Sequence, residues 1–185
     1  MIARSGEMAR RAVAADDGDA CAHTALAIFD AFSGRHDEGR RRLLRALDLD
    51  PNSVFARGYL GVSYAFTGDY EPALLHCDQA IRLSPRDPLL IIWHLCKGWA
   101  ALLSGRNREA IEFTTEAVAA NPEFPDNYAV LAAAHGHLGH TSEAPGALNE
   151  FMRRSPVLTA ADERLNRPFG APALRERFLA RSFYS

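Results

Sequence analysis

The sequence predicts an all-α solenoid built from helix-turn-helix repeats. Three sets of residues, moving in phase, predict it. Turn glycines recur as Gly34, Gly68, Gly105 and Gly139. Stop prolines recur as Pro51, Pro85, Pro122 and Pro156. Small residues recur in the first helix of each unit as Ala27, Gly61, Gly98 and Ala132, and in the second as Gly39, Ala73, Ala110 and Ala144. Two of the three intervals are 34 residues and the middle one is 37. A period in this range marks stacked supersecondary units, each burying its apolar face against its neighbours.

The unit Val54–Asp87 shows the mechanics. Gly61 has no Cβ, so the first helix can approach the second closely, and Ala73 and Ala80 allow the same from the other side. Gly68 is the expected left-handed stop, where only glycine escapes the steric penalty. Pro85 cannot continue a helix and pushes Ser84 out of helical geometry.

In chain order, residues 1–15 read as a helix with Met8, Ala12 and Ala15 on one face. Extrapolated backwards, Ala12 falls in register with Ala46 and Ala80. This helix is therefore either the second half of a partial preceding repeat or an N-terminal cap, since a solenoid needs its apolar end covered. The first full repeat is 20–53, capped by Asp19, with helices over Ala20–Ser33 and Asp37–Leu49. Arg40, Arg41, Arg42 and Arg45 on the second helix read as a solvated outer face rather than a nucleic-acid contact. Leu43, Leu44 and Leu47 supply its buried side. The next repeat, 54–87, has Ser53 as N-cap and Pro72 in the first turn of its second helix, where a missing N–H is harmless.

The repeat 88–124 opens on Asp87 and Pro88, a cap-plus-proline signal. It predicts a helix over Pro88–Ser104, longer than its equivalents by nearly a turn. That helix is the most apolar, so it should be contacted on several sides, by neighbouring repeats or as the wall of a groove or subunit contact. In the repeat 125–156, Pro125 opens the first helix and Thr141 or Ser142 the second. Pro145 lies deep enough to make that second start irregular. Residues 157–185 predict a C-terminal cap: a short helix over Val157–Asn166, a loop over Arg167–Pro172, and a helix over Ala173–Arg181. Leu174, Phe178 and Leu179 share one face of the last helix, which should pack on the second helix of the last repeat.

The chain has 185 residues, 48% apolar and 24% charged, a soluble globular balance. Its net charge of −2 makes no bulk case for nucleic acid or an anionic membrane. The apolar run Leu89–Leu103, interrupted by His94 and Lys97, is too short to span a bilayer. Cys21, Cys77 and Cys96 are odd in number and show no C-x-x-C spacing, which fits reduced thiols. No secretory leader opens the chain, so a cytoplasmic location is expected. His135, His137 and His140 form H-x-H-x-x-H. Residues two apart point to different helix faces, and no cysteine or carboxylate completes a ligand set, so no metal is expected and His135 reads as a packed residue. G-x-S-x-G, a phosphate-cradling glycine loop and H-E-x-x-H are all missing, so neither catalysis nor a cofactor is expected.

Leu60, Gly61, Tyr64, Ala73, Ala80 and Pro85 resemble the signature of the tetratricopeptide repeat (TPR) family. Arg57 stands at the family's Trp position and Cys77 at its Phe. The last repeat keeps Leu131, Ala144 and Pro156, with Tyr128 for the Trp and Ala132 for the Gly, and departs at Phe151, where a small residue is usual. The resemblance implies a right-handed TPR superhelix with a C-terminal capping helix, whose first helices line a concave face. Carried over position by position, the groove comprises Thr24, Ile28 and Phe32, then Phe55, Gly58, Val62 and Phe66. It continues with Ile92, Leu95, Trp99 and Leu103, and ends with Asp126, Ala129, Ala133 and His137. The expected partner-binding residues are its apolar members: Ile28, Phe32, Phe55, Val62, Phe66, Ile92, Leu95, Trp99 and Leu103.

This face lacks the Lys, Arg and Asn residues with which chaperone-tail TPR domains clamp a carboxylate. It suits an apolar helix or extended segment, from another protein or from this chain. Homodimerisation through the same surface is the alternative expectation. A narrower resemblance, over Leu83–Val118, Asn121–Gly139 and Asp162–Ala180, is to TPR regions that follow a class III adenylate/guanylate cyclase or a winged-helix domain in bacterial signalling proteins. Arg181–Ser185 departs from the ending usual there. The implied role is a regulatory protein-binding segment of a larger protein.

Overall fold

Left-handed glycines set the turns: φ is +78° at Gly34, +81° at Gly68, +82° at Gly105 and +75° at Gly139. Between them the computed structural model, which describes residues 2–155, forms nine helices among the described residues. They are α1 (Ile2–Ala15), α2 (Ala20–Phe32), α3 (His36–Leu49), α4 (Val54–Thr67) and α5 (Tyr70–Leu83). Then come α6 (Leu90–Leu103), α7 (Asn107–Ala120), α8 (Pro125–Leu138) and α9 (Glu143–Arg154). Each helix packs on the next, and α2, α4, α6 and α8 also touch in succession. They form the inner layer of a right-handed TPR superhelix. The expected C-terminal capping helix, and Pro156, lie outside the described residues.

Caps start several helices as their sequences require. Asp19 accepts from the N–H groups of Cys21 (2.7 Å) and Ala22 (3.2 Å), and Ser53 Oγ from that of Ala56 (3.3 Å). The third repeat differs from expectation. Asp87 Oδ1 accepts from Leu89 N at 2.7 Å, and Leu90 N donates to Asp87 O at 3.0 Å. The three extra residues are spent on this turn. Helix α6 starts at Leu90 and has 14 residues, as α4 does, rather than running from Pro88. Pro88 follows a carboxylate that caps the turn itself, so the signal marks a turn one step before the helix. Helix α9 does start irregularly: it begins four residues after Gly139, whereas α3, α5 and α7 begin two after their glycines. Pro145 is its third residue and costs no intrahelical bond.

Close approach within each pair follows the small residues. A Cβ on Gly61 would lie 2.6 Å from Cys77 Sγ and 3.0 Å from Ala73 O, and one on Gly39 would lie 3.0 Å from Ala27 O. Between repeats, the Trp93 ring covers Gly58, leaving only 2.3 Å for a Cβ there. Tyr59 meets Trp93 edge-on at 5.5 Å. Polar locks repeat around this core. Arg40 reaches from α3 to Thr67 (3.0 Å) and lies over Tyr64, and Arg106 lies over Tyr70 at 4.2 Å. Arg154 lies over Tyr128 at 4.3 Å and donates to Pro122 O at 2.9 Å. The Tyr70 hydroxyl donates to the Glu109 carboxylate, and burial together with that bond pushes the phenol up to about 12.

The arginine-rich face of α3 is largely neutralised. Arg42 pairs with the buried Asp30 (2.9 Å), Arg41 with Glu38 (3.4 Å) and Arg45 with Asp17 (4.0 Å). Arg35 shares Asp30 at 2.7 Å. Pairs that span helices hold the register of the hairpin; the exposed ones contribute little to stability.

Two histidines link the fold to pH. His76 stacks on Tyr64 (5.7 Å, 5°), and burial, then the Arg57 charge, holds its pKa below 6.5. His135 Nδ1 lies 2.9 Å from His140 Nδ1, and burial, then the His140 charge, lowers its pKa. Gln79 and Glu143 respectively oppose these shifts. The unfolded imidazoles take up protons near pH 6.5, whereas the folded ones do so only lower down. Stability is thus fully present above about pH 6.5 and falls as the pH drops below it. The melting temperature should decline between pH 7 and pH 5, and His76→Gln with His135→Gln should flatten the decline. An unaltered slope in thermal melts of the double variant would remove these histidines as its cause.

Candidate functional site

Four inner helices and one turn line an apolar cavity of about 170 Å³. Helix α2 contributes Phe32 at its C-terminus. Helix α4 contributes Tyr59, Val62, Ala65 and Phe66, and α6 contributes Ile92, Leu95, Cys96 and Trp99. Phe124, from the turn before α8, and Asp126, in its first turn, close the far side. Helical periodicity brings these residues together: steps of three and four along α4 and α6 keep one stripe facing inward.

Six of the nine expected groove residues line the cavity: Phe32, Val62, Phe66, Ile92, Leu95 and Trp99. Ile28, Phe55 and Leu103 lie outside it. Ile28 is half-buried, Phe55 is 50% exposed, and Leu103 is buried in the main core. Gly58 does not face open space either, because Trp93 lies directly over it. Tyr59, Cys96 and Phe124 are lining residues that the carried-over positions missed. Tyr59 and Cys96 sit one residue along from the assigned stripe, a signal that a wider stripe would have caught. Phe124 is in a turn, where no helical period applies.

Depth differs among the six. Phe32 is 49% exposed and meets Phe66 edge-on at 5.9 Å, while Phe66 is 7% and Trp99 4% exposed. His36 closes on the other side of Phe66 at 6.4 Å. The lining contains one carboxylate, Asp126, and no cationic side chain. Burial raises the Tyr59 phenol, so it stays neutral. Burial also pushes the Cys77 thiol well up, with the adjacent Cys96 thiol adding to the effect, so Cys77 stays protonated and inert.

Such a lining, apolar apart from the Tyr59, Cys96 and Asp126 side chains, offers mainly dispersion, shape and the hydrophobic effect. Sites for drug-sized small molecules and cofactors measure roughly 300–1,000 Å³. The cavity, at about 170 Å³, is smaller and has room for one or two apolar side chains. Other hollows measure about 260 Å³ beside Arg41, Arg42 and Arg45 and about 330 Å³ beside Arg86–Pro88, and both are more polar and more open. Among the described residues, no three His, Cys, Asp or Glu side chains converge as metal ligands. No helix of the described residues is long and apolar enough to cross a membrane.

No protein-family model and no curated protein matches this chain. Solved structures do. PilW, a widely conserved type IV pilus biogenesis factor, superposes with a TM-score of 0.77 at 21% identity, over 95% of this chain and 82% of PilW. PilF of Pseudomonas aeruginosa gives 0.69 at 18% identity, over 85% and 70% of the two chains. MamA gives 0.63 at 18% identity, over 82% and 81%. Likeness at these identities is a likeness of fold, and the fold shared is the right-handed TPR superhelix.

Proposed function

We propose that this chain is a protein-interaction scaffold whose inner cavity takes the apolar anchor side chains of a helix or extended segment. The supporting observation is the cavity itself: walled by α2, α4, α6 and the start of α8, largely apolar, without cations, and rimmed by the half-exposed Phe32 ring. Affinity would come from removing that surface and the partner's from water, at about 25 cal/mol per Å² of apolar area.

Phe32 is the residue to probe. Phe66 and Trp99 are so deeply packed that a charge there tests folding as much as binding. Peptides of about 15 residues selected by phage display on the full chain should carry apolar residues at helical spacing. Phe32→Asp should weaken them by roughly tenfold or more, about 1.4 kcal/mol, in fluorescence anisotropy. Selected peptides indifferent to Phe32→Asp would dismiss the groove. Light scattering reads the alternative directly: a concentration-dependent dimer abolished by Phe32→Asp would assign the groove to a second copy.

We further propose that the scaffold is a regulatory segment of a larger bacterial signalling protein, next to a cyclase or winged-helix domain. This rests on the resemblance over Leu83–Val118, Asn121–Gly139 and Asp162–Ala180 alone. The free thiols Cys21, Cys77 and Cys96 fit a reducing, cytoplasmic compartment. Sequencing the gene upstream of Met1 tests it: a cyclase or winged-helix coding region is expected, and a stop codon in its place would end the proposal.

A further inference from the structure

We infer that the resting occupant of the cavity is this chain's own C-terminal segment, Ala173–Arg181, which an external partner must displace. The inference rests on the groove reading above and names what fills the groove first. The segment has the required anchors. Leu174 and Phe178 are four residues apart, a spacing that puts two side chains on one face of a helix, and Leu179 adjoins Phe178 in sequence. Its charge is complementary. Arg175, Arg177 and Arg181, with the single acidic residue Glu176 among them, flank the anchors, and the one carboxyl side chain in the cavity lining is Asp126. Residues 156–185 carry a net +2 in a chain of net −2, which leaves −4 on the residues before them.

The chain beyond α9 provides a tether. Helix α9 ends at Arg154 and packs on α8, whose first turn supplies Asp126 to the cavity. The 17 residues from Pro156 to Pro172 can span up to roughly 55 Å extended. A tether within one chain gives an effective concentration up to the order of millimolar, so a contact whose own Kd lies well below about 1 mM is occupied most of the time. The competing place for the segment, the outer face of α9, offers less. Pro145, Gly146, Asn149 and Arg153 are exposed there, and Met152, at 43%, is its one large exposed apolar side chain.

The test uses the full chain with p-benzoylphenylalanine in place of Phe178. After irradiation, mass spectrometry should find crosslinks within one chain to residues such as Phe66, Leu95 and Trp99. Crosslinks to α9 around Met152, or between two chains, would overturn the inference. A second measurement uses Leu174→Asp/Phe178→Asp in the full chain, with its helical circular dichroism unchanged. A phage-selected groove peptide should bind this variant about tenfold or more tightly than the wild-type chain. Equal affinity, still lost with Phe32→Asp, would sink the tail inference and leave the groove reading standing. Peptides that ignore Phe32→Asp in both chains would sink the two together.

Discussion

Trp93→Ala should cost about 3–5 kcal/mol of folding stability, the largest single-residue loss expected in this chain. Trp93 is fully buried in α6. Its ring occupies the space over Gly58 of α4 that any larger residue there would fill, and Tyr59 holds it edge-on. Alanine would open a cavity between two inner helices whose separation other contacts maintain, so the site could not collapse to refill it. At roughly 2–4 °C per kcal/mol for a domain of this size, the melting temperature should fall by about 6–20 °C. The loss falls on the α4–α6 seam. In a solenoid, stability is a sum over repeats and the interfaces between neighbours, so the unfolding transition should also broaden. A single sharp melt within 3 °C of the wild type would show that the seam does not depend on this ring.

Gly61→Val should destabilise by about 1–3 kcal/mol through overpacking. The new Cβ would sit 2.6 Å from Cys77 Sγ, 3.0 Å from Ala73 O and 3.2 Å from Cys77 N. Two of these are backbone atoms of α5, which cannot swing aside as a side-chain end can. Helices α4 and α5 would have to separate. Valine's better helix propensity recovers only a few tenths of a kcal/mol. Gly146→Ala in α9 is the opposite case. Nothing lies within 4 Å of a Cβ there, so the propensity gain acts alone and should stabilise by about 0.5–1 kcal/mol. Denaturant titrations of the two variants should therefore move in opposite directions. Equal shifts would mean that the α4–α5 contact is looser than its geometry.

Much of this fold could be read from the sequence because its determinants are local. A left-handed glycine, a cap and a period of 34 residues act within one turn or one helix. The positions of Gly34, Gly68, Gly105 and Gly139 therefore set the helix boundaries without knowledge of what packs where. The start of α6 escaped because Asp87 had two local uses, helix cap or turn cap, and only the packed chain shows it capping the turn.

The candidate site was legible to the extent that it is helical. The positions carried over from the TPR resemblance picked out the inner stripe of α2, α4 and α6, and among them Phe32, Val62, Phe66, Ile92, Leu95 and Trp99 line the cavity. They could not tell which of those rings stay open to solvent, since that depends on how far one repeat rotates against the next. The same rotation buries Gly58 under Trp93, places Phe124 at the mouth of the cavity and joins Arg40 to Thr67 across 27 positions. What the amino-acid order determined by itself is the repeat, its turns and the apolar character of its inner face, because these follow from backbone sterics and side-chain periodicity. What only the tertiary structure decided is the cavity, because its shape arises from close packing between helices that share no local signal.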